Sequence, residues 1–274
     1  MLRHATDGRV LECWVGGDPD GPLVAVLHGC PDTRHVAMTG DAAARAAGVR
    51  LLCVNRPGYG RSTAHASTHG SVADDLAGVA SELGHERLAV LGMSVGGAYA
   101  VATAARHPDR VTALGLVATQ PPGARSEAVE ELVAEFAPEF LHWRAGVDPA
   151  DPSDDALAAR WLTMLPPEDA YLVAALGPAE VAASVREALA GPEGYLRDAA
   201  LLHRPWEHGP AEVNCAVRAW FGELDDRSGA DAAADLFAGL GDVEVVVRPR
   251  TTHLATLVAH WPDVLTTLRD LMAG

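Results

Sequence analysis

Residues 88–106 constrain the rest of this chain more than any other stretch. Leu88, Ala89, Val90 and Leu91 form a continuous apolar run, the pattern of a strand buried on both faces. Val95 to Arg106 is rich in alanine and reads as a helix, with Pro108 just beyond it as a stop. Between them stands Gly92-Met93-Ser94-Val95-Gly96, a G-x-S-x-G. In this setting the serine takes a sharp, strained strand-to-helix turn. Glycines two residues to either side let neighbouring backbone pass close to the turn. Ser94 Oγ then stands above the sheet at a helix N-terminus, whose dipole favours an anion.

The flanking chain repeats the same alternation. Residues 1–20 read as a hairpin, with turn chemistry at Thr6-Asp7-Gly8-Arg9 before the strand Val10-Leu11-Glu12-Cys13-Trp14-Val15. Buried strands follow at 23–27, 49–54 and 111–117. Helices are expected at 41–48, closed by Gly48, and at 71–83, closed by Gly84. Strand, helix, strand in this order imply a mostly parallel, doubly wound α/β sheet with right-handed crossovers. Chemistry in such sheets gathers at the carboxyl ends of the strands. Three of those ends carry notable loops: His28-Gly29-Cys30-Pro31, Asn55 to Ser62, and the Ser94 turn.

After Pro121 the pattern changes. No strand is expected up to about residue 211. Helical segments fall at 126–143, 154–165, 168–176, 179–189 and 193–202, with Pro138, Pro149, Pro152, Pro166-Pro167, Pro178 and Pro192 at or near their ends. This predicts a core of residues 1–120 and 211–274, with 121–210 inserted as an all-helical cap. Trp143, Trp161 and Trp206 fall in that cap. The sheet resumes at 215–221, followed by a helix at 230–240, a last strand at 243–247 and a terminal helix at about 262–272.

Composition narrows the chemistry. Hydrophobic residues make up 49% of 274, ample for a large core. The net charge of −16 argues against nucleic-acid or acidic-membrane partners. All 21 basic residues are arginine, which excludes a Schiff-base lysine and a Walker-type phosphate lysine. Cys13, Cys30, Cys53 and Cys215 are too few for a disulfide framework and include no C-x-x-C; Cys53 and Cys215 read as buried thiols. No metal-ligand spacing is present, and no cofactor is expected. No stretch approaches 18 apolar residues and no leader is visible, so a cytoplasmic protein acting on a small molecule is expected, as monomer or homodimer.

A serine is a poor nucleophile near neutral pH and needs an adjacent base, itself oriented by an acid. His253 follows the last strand and Asp225 the one before it, giving the order Ser94, Asp225, His253. Asp225 is preferred to Asp226, and His253 to His260, which reads as a surface residue. The strand ending at Val117 is followed by Ala118-Thr119-Gln120, which offers no acid. An oxyanion needs backbone donors. Val95 N–H is one. Pro31 has none, so Cys30 N–H is the other, and the Cys30 thiol is incidental. His28 reads as a structural histidine, and Arg34 as a solvated loop residue in preference to one that steers an anionic substrate.

These stretches together, with Arg56-Pro57-Gly58-Tyr59-Gly60-Arg61-Ser62, Phe221-Gly222-Glu223-Leu224-Asp225 and Thr252-His253-Leu254, resemble the α/β-hydrolase superfamily of serine hydrolases with a helical cap, over essentially the whole chain. The resemblance implies Ser94 as nucleophile, Asp225 as acid, His253 as base, and Cys30 and Val95 as oxyanion donors. It implies hydrolysis of a small to medium carboxylic ester, lactone or thioester. Carbon–carbon bond cleavage, perhydrolysis or cyclisation by the same triad, and a binding protein without turnover, are the alternatives. Serine at 94, where some relatives carry aspartate, argues against epoxide or haloalkane hydrolysis. The Arg250-Thr251-Thr252 run before the histidine departs from many relatives.

Overall fold

The computed structural model describes residues 1–147, 153–237 and 240–273, without the side chains of 232–235. Eight strands form one sheet: β1 (Leu2–His4), β2 (Val10–Gly17), β3 (Leu23–Leu27), β4 (Arg50–Val54), β5 (Leu88–Met93), β6 (Val111–Val117), β7 (Ala216–Gly222) and β8 (Val243–Arg248). Their spatial order is β1-β2-β4-β3-β5-β6-β7-β8. The hairpin β1–β2 and the pair β2–β4 are antiparallel, and all later pairs are parallel.

The apolar runs of β3 and β5 are buried because both faces of the sheet are covered. Leu23, Ala25 and Leu27 face one layer, with Val72, Leu76 and Tyr99 from helices His69–Glu82 and Gly96–Arg106. Val24 and Val26 face the other, with Ala44, Leu265 and Leu268 from helices Asp41–Ala47 and Trp261–Ala273. The two-residue period of a strand assigns alternate side chains to opposite layers. Thr68 caps its helix in a reciprocal box with Ser71, so that the helix begins at His69, two residues before the expected start.

Between β6 and β7 run helices Val129–Val147, Asp154–Leu162, Pro167–Ala174, Pro178–Ala188 and Glu193–Leu202. They pack on a cluster of their own around Phe140, Leu157, Val185 and Tyr195. Pro138 corrects the expectation that prolines mark the helix ends. It lies inside Val129–Val147, on an exposed face where water can serve the carbonyl left without its N–H donor. Pro149 and Pro152 lie outside the described residues, as do 238–239 of the expected 230–240 helix. Helices His35–Met38 and Ala255–Val258 were not expected; four residues are too few to show a helical period. Among the described residues no helix is long and apolar enough to cross a membrane.

Candidate active site

The Ser94 turn is built by close backbone packing. Ser94 has φ 54°, a left-handed conformation that a β-substituted residue adopts only under constraint. Its N–H donates to Val117 O at 2.8 Å, which ties the turn to β6. A Cβ at Gly92 would lie 2.5 Å from Gly96 O, and one at Gly96 would lie 2.1 Å from Leu27 O. Neither position has room for a side chain, which is the physical content of the motif. The loop after β3 crosses directly over this turn: a Cβ at Gly29 would lie 3.6 Å from Ser94 Cβ.

On the same edge of the sheet, the loops that follow β7 and β8 meet each other. His253 Nδ1 lies 2.8 Å from Asp225 Oδ2, and both residues are buried. Asp225 Oδ1 accepts from the N–H groups of Arg227 at 2.9 Å and Ser228 at 3.1 Å. The carboxylate is therefore oriented from one side by backbone and directed at His253 from the other. With Asp225 ionised, Nδ1 carries the proton and Nε2 is left as an acceptor. Asp226 is exposed. His260 is half-buried rather than on the surface, with Nδ1 against Ala255 O at 2.9 Å. Ser94 and His253 line one pocket of about 340 Å³, together with Gly29 and Cys30. The N–H groups of Cys30 and Val95 donate to no acceptor among the described residues.

The pocket wall is shared between sheet and cap. The cap brings Trp143, Trp161, Leu165, Leu172 and Val173; the methionines, Met38 and Met93, come from the sheet side. Trp206 packs instead against the core layer of Tyr99 and Leu201. Asp32 also lines the pocket, and burial raises its carboxyl to about 6, against its bond from Thr33 N–H and the positive charges of His35 and Arg56. A folded-state pKa above the unfolded one means that stability falls as pH rises from about 4 to about 6 and stays low above that. Asp32→Asn keeps an acceptor for Thr33 N–H. It is expected to stabilise the protein by up to about 3 kcal/mol near pH 8 and by almost nothing near pH 3, read by urea unfolding. Equal midpoints near pH 8 would mean that Asp32 bears no buried charge.

Three cap carboxylates hold the loops beneath them. Asp198 is bonded by Arg56 and by the hydroxyls of Tyr59 and Tyr99, both at 2.7 Å. Arg56 also donates to the carbonyls of His28 and Gly29, and so fixes the loop that carries Cys30. Burial opposes the charge of Arg56, and Asp198 outweighs it. Glu187 receives Arg34 at 3.0 and 2.7 Å and Asn55 at 2.6 Å. Burial alone would raise its carboxyl; bonds from His35, Arg34 and Asn55 hold it down at about 2. Arg34 is thus neither solvated nor a steering group: it joins core to cap. Asp169 accepts from Thr252 Oγ1, next to His253.

Breaking the Arg56–Asp198 pair from one side leaves a buried charge alone. Asp198→Leu is expected to cost about 3–5 kcal/mol, and Arg56→Met with Asp198→Leu less than that single change. Denaturant unfolding of the three proteins tests this, and a double variant no better than the single one would refute it.

His28 is fully buried, donates Nδ1–H to Gly29 O at 2.9 Å and accepts Arg56 N–H at Nε2, as a structural histidine would. Burial keeps its pKa well below the usual value. Cys30 Sγ lies 3.3 Å from Tyr59 Oη, and burial pushes its thiol up, away from thiolate chemistry. Cys53 is buried as expected. Cys215 is only half-buried, with its thiol raised to about 11.

Residues 22–159, half of the chain, match the family model of the α/β-hydrolase fold. The chain belongs to the α/β-hydrolase fold family. It is similar along most of its length to the pimeloyl-acyl-carrier-protein methyl ester esterase of Chromobacterium violaceum, at 27% identity over 263 residues, 91% of this chain and 94% of that protein. A shorter match, 34% identical over 97 residues, is to an epoxide hydrolase B of Mycobacterium tuberculosis. It covers 34% of this chain and 27% of that protein, so the matched chain spans about a quarter of that relative. Among solved structures, the enol-lactonase of Burkholderia xenovorans LB400 has the same fold, with a TM-score of 0.74, 19% identity and full coverage of both chains.

Proposed function

We propose that this protein is a serine hydrolase of small to medium carboxylic esters, with residues 121–210 as cap over a core of 1–120 and 211–274. The observation that carries the reading is the shared pocket of Ser94 and His253, with His253 bonded to Asp225. Ser94 Oγ attacks the ester carbonyl and passes its proton to His253 Nε2. The N–H groups of Cys30 and Val95, which have no acceptor among the described residues, hold the tetrahedral oxyanion. Collapse expels the alcohol, protonated by His253. Water, deprotonated by the same imidazole, then attacks the acyl-serine and releases the acid. Lactones and thioesters follow the same steps.

The short likeness to an epoxide hydrolase does not transfer its chemistry. A serine that opened an epoxide would become an ether, with no carbonyl for water to attack, so turnover would stop after one cycle. An acyl donor avoids that end. Treatment with a fluorophosphonate probe, followed by peptide mapping, tests the proposal. Covalent label on Ser94 is expected. A folded protein that takes no label there, and hydrolyses no simple ester, would overturn it.

A further inference from the structure

One buried carboxylate in the pocket has no part in acyl transfer. Asp169 lies in the first turn of helix Pro167–Ala174, is 2% exposed, and lines the same pocket as Ser94 and His253. Thr252 Oγ1 donates to its Oδ1, and this is the one hydrogen bond its carboxylate receives among the described residues. An ionised carboxylate offers about four acceptor positions, and burial with a single neutral donor leaves it short of partners. The cap wall around it is apolar, with Trp161, Leu165, Leu172 and Val173.

The remaining charged groups of the pocket do not neutralise it. Asp32 adds a second carboxyl to the wall. His35 is 3.4 Å from Glu187, and His253 is engaged by Asp225. Arg227 is exposed. The balance inside the pocket favours a cation.

We propose that Asp169 determines specificity, and that the substrate is an ester carrying a protonated amine whose N–H reaches Asp169 Oδ2. The ester part of this inference rests on the acyl-transfer reading; the amine part rests on Asp169 alone. A neutral hydroxyl would fill one acceptor position and leave the buried charge uncompensated, whereas an ammonium supplies donor and counter-charge together.

The test uses pairs of esters with the same heavy-atom skeleton. Dimethylaminoethyl butyrate is set against isopentyl butyrate, and methyl dimethylaminobutyrate against methyl isoheptanoate, near neutral pH where the amines are protonated. In at least one pair the amine is expected to be favoured at least about tenfold in kcat/KM. Asp169→Asn keeps an acceptor for Thr252 and removes the charge; Asp169→Ala removes both. In either variant the amine-to-neutral ratio is expected to fall to within about threefold of unity. A wild-type preference for the neutral member in both pairs, or an amine preference that survives both substitutions, would overturn the proposal. Calorimetric binding of the same compounds to Ser94→Ala reads the ratio without turnover. If no ester is cleaved by the wild type, the hydrolase reading fails visibly while that ratio still decides the role of Asp169.

Discussion

Ser94→Ala is expected to lower kcat on a simple ester by about 10⁶-fold, with unfolding unchanged within about 1 kcal/mol. The variant deletes one hydroxyl and leaves the φ of 54°, the Val117 bond and the glycine contacts as they are. On the proposed mechanism, what remains is the acceleration supplied by two amides and the pocket, on water rather than on a fixed nucleophile. Loss of fluorophosphonate label should accompany the loss of rate. Activity near that of the wild type would place the nucleophile elsewhere and remove the mechanism altogether.

Asp225→Asn is expected to lower kcat by about 10⁴-fold, and the hydrogen bonds on this carboxylate say why. The N–H groups of Arg227 and Ser228 both point at Oδ1. An asparagine must therefore place its carbonyl oxygen there, which turns its NH₂ towards His253 Nδ1. Nδ1 then has to accept, the ring proton moves to Nε2, and the base that should take the Ser94 proton is already protonated. The exposed neighbour provides the control: Asp226→Asn is expected to change kcat by less than about threefold. Steady-state rates over a pH series check both variants. A rate for Asp225→Asn within about tenfold of wild type would mean that the histidine is oriented by some other group.

Much of the sheet could be read in advance because its signals are local. Continuous apolar runs at 23–27 and 88–91 mark strands covered on both faces, and the structure divides them between two layers by simple alternation. The turn at Ser94 was legible for the same reason: a strand, two glycines with no room for a Cβ, and a helix lie within 19 residues. Asp225 and His253 were expected together from their positions just past strand ends, and the structure bonds one to the other. A parallel sheet brings all such ends to one edge, so sequence order there translates into spatial proximity.

The cap behaved differently. Its helices were visible, but a 3.6-residue period says which face of a helix is apolar and not which neighbour a given acid will meet. Asp169 in Pro166-Pro167-Glu168-Asp169 looks like an ordinary first-turn acid, and Asp198 like a polar residue in an amphipathic helix. Only tertiary packing put Asp198 against Arg56, 142 residues away, and Glu187 against Arg34, 153 away. Pro138 likewise looked like a helix end until the exposed face around it was known. By itself the sequence determined the sheet, the strained serine turn and the order of the groups at the strand ends, since each depends on residues that are neighbours in the chain. The tertiary structure decided which carboxylates are buried, what they bond and which face the pocket, because desolvation and pairing of charge depend on elements far apart in sequence.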